Sequence, residues 1–193
     1  MNLIGIFLSV IAISAHADTL NGYVVNITDG DTIVVLDANR QQHKIRLAAI
    51  DAPESNQAFG SRSTESIANL TFNKTVTVEW KKKDRERLIG KVLINGVDIN
   101  LEQVKAGMAW WYVKYAKEQS TVHRRIYEQA ELQARVQLLG LWGDANPTPP
   151  WEFRHAKDGA QLEAPCPCSG TVSCTGPKGG RYCTAENGRK KYR

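Results

Sequence analysis

Thr28-Asp29-Gly30-Asp31-Thr32, then Ile33-Val34-Val35-Leu36, then His43-Lys44-Ile45-Arg46-Leu47-Ala48-Ala49, then Ile50-Asp51-Ala52-Pro53-Glu54: the reading of these pieces decides the fold. Thr32 to Leu36 is β-branched and apolar, which suits a strand. His43 to Ala49 alternates, with Ile45 and Leu47 pointing one way and Lys44, Arg46 and Ala48 the other. Asp29-Gly30-Asp31 is a turn, with Gly30 expected to supply unusual dihedrals. Asp37-Ala38-Asn39-Arg40 is a second turn, and Pro53 stops the last strand because it cannot donate to a ladder. Upstream, Thr19 to Ile27 also alternates. Three strands joined by short turns make a meander.

The rest of the chain extends this start. Ser63 to Phe72 has Ile67, Leu70 and Thr71 at helical spacing. Lys74 to Lys82 alternates again, with Val76, Val78 and Trp80 inward, and Leu88 to Ile94 is a fifth strand. Asn95-Gly96 signals a hairpin into Val97-Asp98-Ile99. Asn100 is placed to cap a short helix from Leu101 to Ala106 that Gly107 ends. Gln119 to Leu139 reads as a longer helix with Ile126, Tyr127, Ala130, Ala134 and Leu138 inward. Five short strands and about three helices give an α+β chain, mainly β, built as a small barrel of the OB type.

Asn146-Pro147-Thr148-Pro149-Pro150 closes the main domain, because proline density ends regular structure. The expected divisions are residues 1–17, 18–145, a proline-rich linker 146–165 and a tail 166–193. Leu3 to Ala15 is almost wholly apolar and Ala15-His16-Ala17 is a small-x-small pattern. That predicts a signal peptide cut after Ala17, hence a secreted or periplasmic protein without a membrane span in the mature chain. The absence of Lys or Arg before the apolar run leaves a retained anchor or a plain strand as the alternatives.

The formal charge of +5 sits in the tail. From Cys166 onward, Lys178, Arg181, Arg189, Lys190, Lys191 and Arg193 face only Glu186, and the remainder balances. A cationic tail favours polyanions such as nucleic acid. All four cysteines, Cys166, Cys168, Cys174 and Cys183, lie there too. An exported chain with an even cysteine count suggests disulfides, and a four-cysteine zinc site is the alternative. A Cys166–Cys168 pairing would strain so short a loop.

Asp29, Asp31, Asp51 and Glu54 crowd carboxylates around Arg46. Carboxylates held together need a partner, and hard divalent cations take oxygen ligands. Asp31 and Asp51, at the ends of neighbouring strands, are the candidate metal ligands, with the Ala52 carbonyl as a third. Glu54 is close enough in sequence to take a proton from metal-bound water. Arg46 suits a phosphate, whose oxygens match its planar fork. Tyr112 and Tyr115 are candidates for base stacking, or equally for rim packing.

This conjunction resembles the staphylococcal nuclease (thermonuclease) family. The matching residues are Asp29-Gly30-Asp31-Thr32, Arg46-Leu47, Ile50-Asp51-Ala52-Pro53-Glu54, Arg87, Asn95-Gly96, Asn100, Gly107 and Leu141-Trp142. The resemblance implies an OB-fold barrel and Ca2+-dependent, sequence-tolerant hydrolysis of DNA and RNA by a monomer, leaving 3′-phosphates. It implies Asp31, Asp51 and the Ala52 carbonyl as Ca2+ ligands, and Arg46, Glu54 and Arg87 as catalytic side chains. The chain departs from the family at Asp84-Arg85-Glu86-Arg87, where a tyrosine and a glycine are missing. Arg87 takes the catalytic role on strand register, with Arg85 its competitor. The rival function is a non-catalytic OB-type module that binds nucleic acid without cutting it.

Overall fold

Ile33 with Val35, Ile45 with Leu47, and Val76 with Val78 are paired two apart in their strands, and all six meet in one core. The computed structural model describes residues 18–160, 174–175, 181–184 and 190–192. The apolar leader, Cys166 and Cys168 lie outside the described residues. The chain divides into two compact units between Pro150 and Trp151.

The first unit runs β1 (Asp18–Asp29), β2 (Thr32–Asp37), β3 (Gln42–Leu47), β4 (Ile50–Asp51), α1 (Gly60–Thr71), β5 (Thr75–Asp84), β6 (Arg87–Ile94), β7 (Val97–Asp98), α2 (Ile99–Lys105), β8 (Trp110–Trp111) and α3 (Thr121–Val136). Short 3-10 helices occupy Val113–Glu118 and Gly140–Gly143. Strand order is β3-β2-β1-β5-β6-β7, and β3 also pairs with β6. That extra pairing closes β1, β2, β3, β5 and β6 into the expected five-stranded barrel. It is a parallel seam, with Lys44 opposite Arg87, Ile45 opposite Leu88 and Arg46 opposite Ile89. Ile67 of α1, Val104 of α2, and Tyr127 and Ala130 of α3 add to the barrel core. Each such large apolar side chain contributes about 1.5–3 kcal/mol when fully buried.

Three expectations need correction. The cap of α2 is Asp98, whose carboxylate accepts the Leu101 N–H; Asn100 lies inside the helix and is fully buried. Helix α3 buries Tyr127, Ala130 and Ala134 as expected, but Ile126 and Leu138 are exposed and Glu131 is buried. The Tyr127 hydroxyl donates to Asp98 at 2.9 Å, and that bond sets the rotation of the helix. Leu138 falls beyond the helix, at a positive φ of 53°. Gly30 is not among the left-handed glycines. Its lack of a side chain matters for space: a Cβ there would come within 1.9 Å of Ser63 Oγ on α1.

The second unit contains nearly all of α4 (Pro150–Ala160), a helix inside the stretch expected to be a linker. Proline at its start suits the first helical position, where no N–H is needed. The described tail residues form β9 (Cys174–Thr175), β10 (Arg181–Thr184) and β11 (Lys190–Tyr192), an antiparallel sheet in the order β11-β10-β9. Among the described residues no helix is long and apolar enough to cross a membrane.

Candidate active site

The barrel seam builds the site. Burial alternates along β3 and β6, so Ile45, Leu47, Leu88, Gly90 and Val92 face the core. Lys44, Arg46, Arg87 and Ile89 therefore share the outer face. Arg46 lies opposite Ile89, two residues along from Arg87. Arg85, by contrast, sits at the tip of the β5–β6 turn with φ 56°. Arg87 pairs with Asp84 across the end of that hairpin.

Arg46 is largely buried and held from several sides. Its NH1 reaches Asp31 Oδ2 at 3.0 Å and also donates to the Leu47 and Ile50 carbonyls, each at 3.0 Å. Its NH2 donates to Asp51 Oδ1 at 2.8 Å. One guanidinium thus brings the two expected metal-ligating carboxylates together. Ala52 is beside them, because its N–H donates to Asp31 Oδ2 at 2.7 Å. The Thr32 hydroxyl donates to Asp31 Oδ1 at 3.1 Å.

Burial pushes the Asp31 carboxyl up to about 7. Arg46 and the Ala52 N–H pull it down, while the charges of Asp29 and Asp51 push it further up. With Asp31 and Asp51 both ionised, two buried negative charges would face the single positive charge of Arg46. That shortage, with two buried carboxylates and nearby backbone, fits a hard divalent cation. The fit has a bound: among the described residues no three His, Cys, Asp or Glu side chains cluster as a metal site. A cation here would lean on the two aspartates, backbone oxygen and water.

Glu54 lies in the half-buried loop after β4. Gln57 pins it, with Glu54 N–H donating to Gln57 Oε1 at 3.1 Å and Gln57 N–H donating to the Glu54 carbonyl at 2.8 Å. Gly60, at the start of α1, packs on that carbonyl; a Cβ there would approach it to 2.0 Å. Tyr112 and Tyr115 come together edge to face, with ring centroids 5.0 Å apart. Lys82 Nζ lies 4.8 Å over the Tyr115 ring, and Tyr115 is exposed.

Two buried side chains position the backbone around the site: Gln103, which carries no clear sequence signal, and Asn100, which reads in the sequence as a helix cap. Gln103, fully buried in α2, donates to the Gly30 carbonyl at 2.9 Å and to the Ser63 carbonyl at 3.2 Å. It ties the Asp29-Gly30-Asp31 turn to α1. The Asn100 amide donates to the Ala48 carbonyl at 2.9 Å and the Gly90 carbonyl at 3.1 Å, and its oxygen accepts from Val92 N–H. It staples the seam just beyond Arg46.

A sequence profile for staphylococcal nuclease homologues matches residues 44–144. The chain belongs to the staphylococcal nuclease family. It is 44% identical over 161 residues to a micrococcal nuclease of Shigella flexneri, covering 78% of this chain and 89% of that one. It is 41% identical over 154 residues to an uncharacterized endonuclease of Haemophilus influenzae, covering 79% and 82%. An uncharacterized endonuclease of Escherichia coli is 41% identical over 140 residues, covering 72% and 87%. Membership in this family makes the chain a phosphodiester hydrolase of the nuclease type.

Proposed function

We propose that this protein is an exported, Ca2+-dependent nuclease that cuts DNA and RNA with little sequence preference and leaves 3′-phosphates. The observation that carries the reading is the Arg46 fork on Asp31 and Asp51, on a barrel face shared with Arg87. Asp31, Asp51 and the Ala52 carbonyl would hold the cation. When bound, it supplies Lewis-acid charge at the phosphate and a more acidic water.

The protein's own groups do the rest. Hydrolysis builds negative charge on the phosphate oxygens, which Arg46 and Arg87 would stabilise as hydrogen-bond donors. Their fixed planar forks suit two oxygens of one phosphate. Glu54, held by Gln57 and Gly60, accepts a proton from the attacking water or orients it. Tyr112 and Tyr115 offer aromatic faces to a flanking base, which tolerates any sequence because every base has a π-face. The charge balance of residues 1–165 leaves attraction for the substrate to the site and to the basic tail.

Export is read from the apolar leader. Disulfides in the tail would accord with it, with Cys183, buried in β10, as one of the cysteines that pair. The reading is of a monomer. The test is degradation of plasmid and of RNA by the mature chain with Ca2+ and then with chelator. Cleavage that chelator abolishes, with 3′-phosphate ends, supports the proposal. Binding without cleavage in Ca2+ refutes it and favours the non-catalytic module.

A further inference from the structure

Gln57 has a second partner, far along the chain. Its side-chain amide donates to the Thr148 carbonyl at 2.6 Å, across 91 positions. The oxygen of the same amide accepts the Glu54 N–H at 3.1 Å. One side chain thus joins the Glu54 loop to the proline segment Asn146-Pro147-Thr148-Pro149-Pro150 that follows the barrel. We propose that this segment is a brace of the active site. Its Thr148 carbonyl fixes the Gln57 amide, and through that amide the backbone of Glu54, so that residues 146–150 position the carboxylate without touching substrate. The proposal deepens the nuclease reading and rests on the role which that reading gives Glu54.

Three observations support it. The first is the polarity of the amide. Its oxygen faces a donor, the Glu54 N–H, and its nitrogen faces an acceptor, the Thr148 carbonyl. Turned over, the amide would set donor against donor and acceptor against acceptor. Thr148 therefore selects the orientation in which Gln57 can hold Glu54. The second is the stiffness of the segment. The rings of Pro147 and Pro149 fix φ, and Thr148, as the residue before a proline, is confined to extended backbone. Covalent geometry thus aims the Thr148 carbonyl in a stretch, 146–149, that has neither helix nor strand. Both ends are held: the Asn146 N–H donates to Asp144 Oδ1 at 3.0 Å, and Pro150 is buried. The third is the character of the loop itself. Ser55, Asn56 and Ala58 are exposed. The Gln57 N–H to the Glu54 carbonyl, at 2.8 Å, and the Gly60 N–H to the Gln57 carbonyl, at 3.0 Å, are both local turn bonds. The bond to Thr148 ties those turns to a distant part of the chain.

The test uses the full chain carrying Pro147→Gly and Pro149→Gly together, which frees the Thr148 carbonyl and leaves Glu54, Gln57 and both arginines in place. Amide hydrogen exchange is read by NMR in chelator. The Glu54 N–H should exchange about 5-fold faster than in wild type, the factor one ordinary hydrogen bond is worth, while the Ile45 and Leu47 amides of the barrel stay unchanged. In Ca2+, kcat on a short oligonucleotide should fall by about the same factor at unaltered KM. In a Glu54→Gln background the proline changes should cost nothing further, because they act through Glu54. A loss that reflects only a weakened fold would appear in both backgrounds. Unchanged exchange at Glu54, unchanged kcat, or an equal loss in the Glu54→Gln background overturns the proposal. Pro147→Ala with Pro149→Ala is a milder pair with the same expected direction and serves if the Gly pair does not fold. Absence of cleavage by wild type would refute the nuclease reading, while exchange at Glu54 still decides whether the segment braces the loop.

Discussion

Replacing Asp31 with Asn should make the cation-free protein more stable and inactive. Asp31 is a buried carboxylate raised from 3.8 to about 7, chiefly by its burial. Well below 3.8 it is protonated in the folded and unfolded chain alike, and the fold carries no penalty. Between pH 4 and 7 the unfolded chain ionises while the folded chain holds its proton. Stability from this group therefore falls as pH rises, by up to about 1.4 kcal/mol per pH unit. Above pH 7 the loss levels off at roughly 4 kcal/mol. Asparagine removes that titration and keeps an oxygen for the Ala52 N–H. It gives up the charge-assisted contact with Arg46, worth about 1.5–3 kcal/mol, although Arg46 retains Asp51 and two carbonyls. The net expectation at pH 8 is a gain of about 2 kcal/mol, and near pH 4.5, where the penalty removed is only about 1 kcal/mol, a loss of about 1 kcal/mol.

Urea unfolding in chelator across pH 4.5 to 8 measures this. With a slope of about 2 kcal/mol per molar, the midpoint of Asp31→Asn should move up by about 1 M at pH 8 and fall below wild type by about 0.5 M near pH 4.5. Ca2+ should then raise the wild-type midpoint and leave the variant unmoved, because only a ligand that binds the folded state stabilises it. A difference between the two proteins that does not change with pH would refute the electrostatic account of Asp31. An equal Ca2+ response in both would remove Asp31 from the cation site.

Arg87→Ala should lower kcat by about 10²–10³, as for the removal of one transition-state donor, while Arg85→Ala stays near wild type; the reverse order in steady-state kinetics would move the role to the turn. Gly60→Ala places a methyl group against the Glu54 carbonyl, 2.0 Å from it before relaxation, so kcat should fall as the Glu54 loop shifts. Far-UV circular dichroism would show the barrel intact, and unchanged kcat would mean that Glu54 is not positioned by this contact. Removing residues 166–193 should flatten the salt dependence of DNA binding by about 0.9 in log–log slope for each phosphate that the tail neutralises. An unchanged slope assigns the basic tail to another task.

Strand positions are legible because burial repeats with period two: Ile45 and Leu47 inward with Lys44 and Arg46 outward is visible in β3 and holds in the structure. The carboxylate–arginine constellation is legible because such crowding has few structural uses. What is not legible depends on contacts distant in sequence. Helix α1 starts at Gly60 after Phe59 at φ 66°, with no side-chain cap to announce it. Gln103 looks like an ordinary polar helix residue and Asn100 like a helix cap, yet they satisfy backbone carbonyls 73 and 52 residues away. Apolar spacing turns Ile126 of α3 inward because spacing alone cannot see that Tyr127 must reach Asp98. At the Gly30 turn, composition suggests backbone freedom, whereas the constraint is the proximity of Ser63.

Closing the barrel and assembling the site are one event. Arg46 and Arg87 are 41 positions apart in the chain and come together only through the parallel β3–β6 seam. Short turns fix the antiparallel pairs, but nothing local fixes this register. Core alternation does: a one-residue slip would send Leu88 and Val92 outward and turn Arg87 toward the core. Asn100 then locks the chosen register by bonding one carbonyl on each side of it, Ala48 and Gly90. The apolar residues that stabilise the fold thereby also set the geometry of the charged ones. This is how two arginines come to share one face beside buried carboxylates.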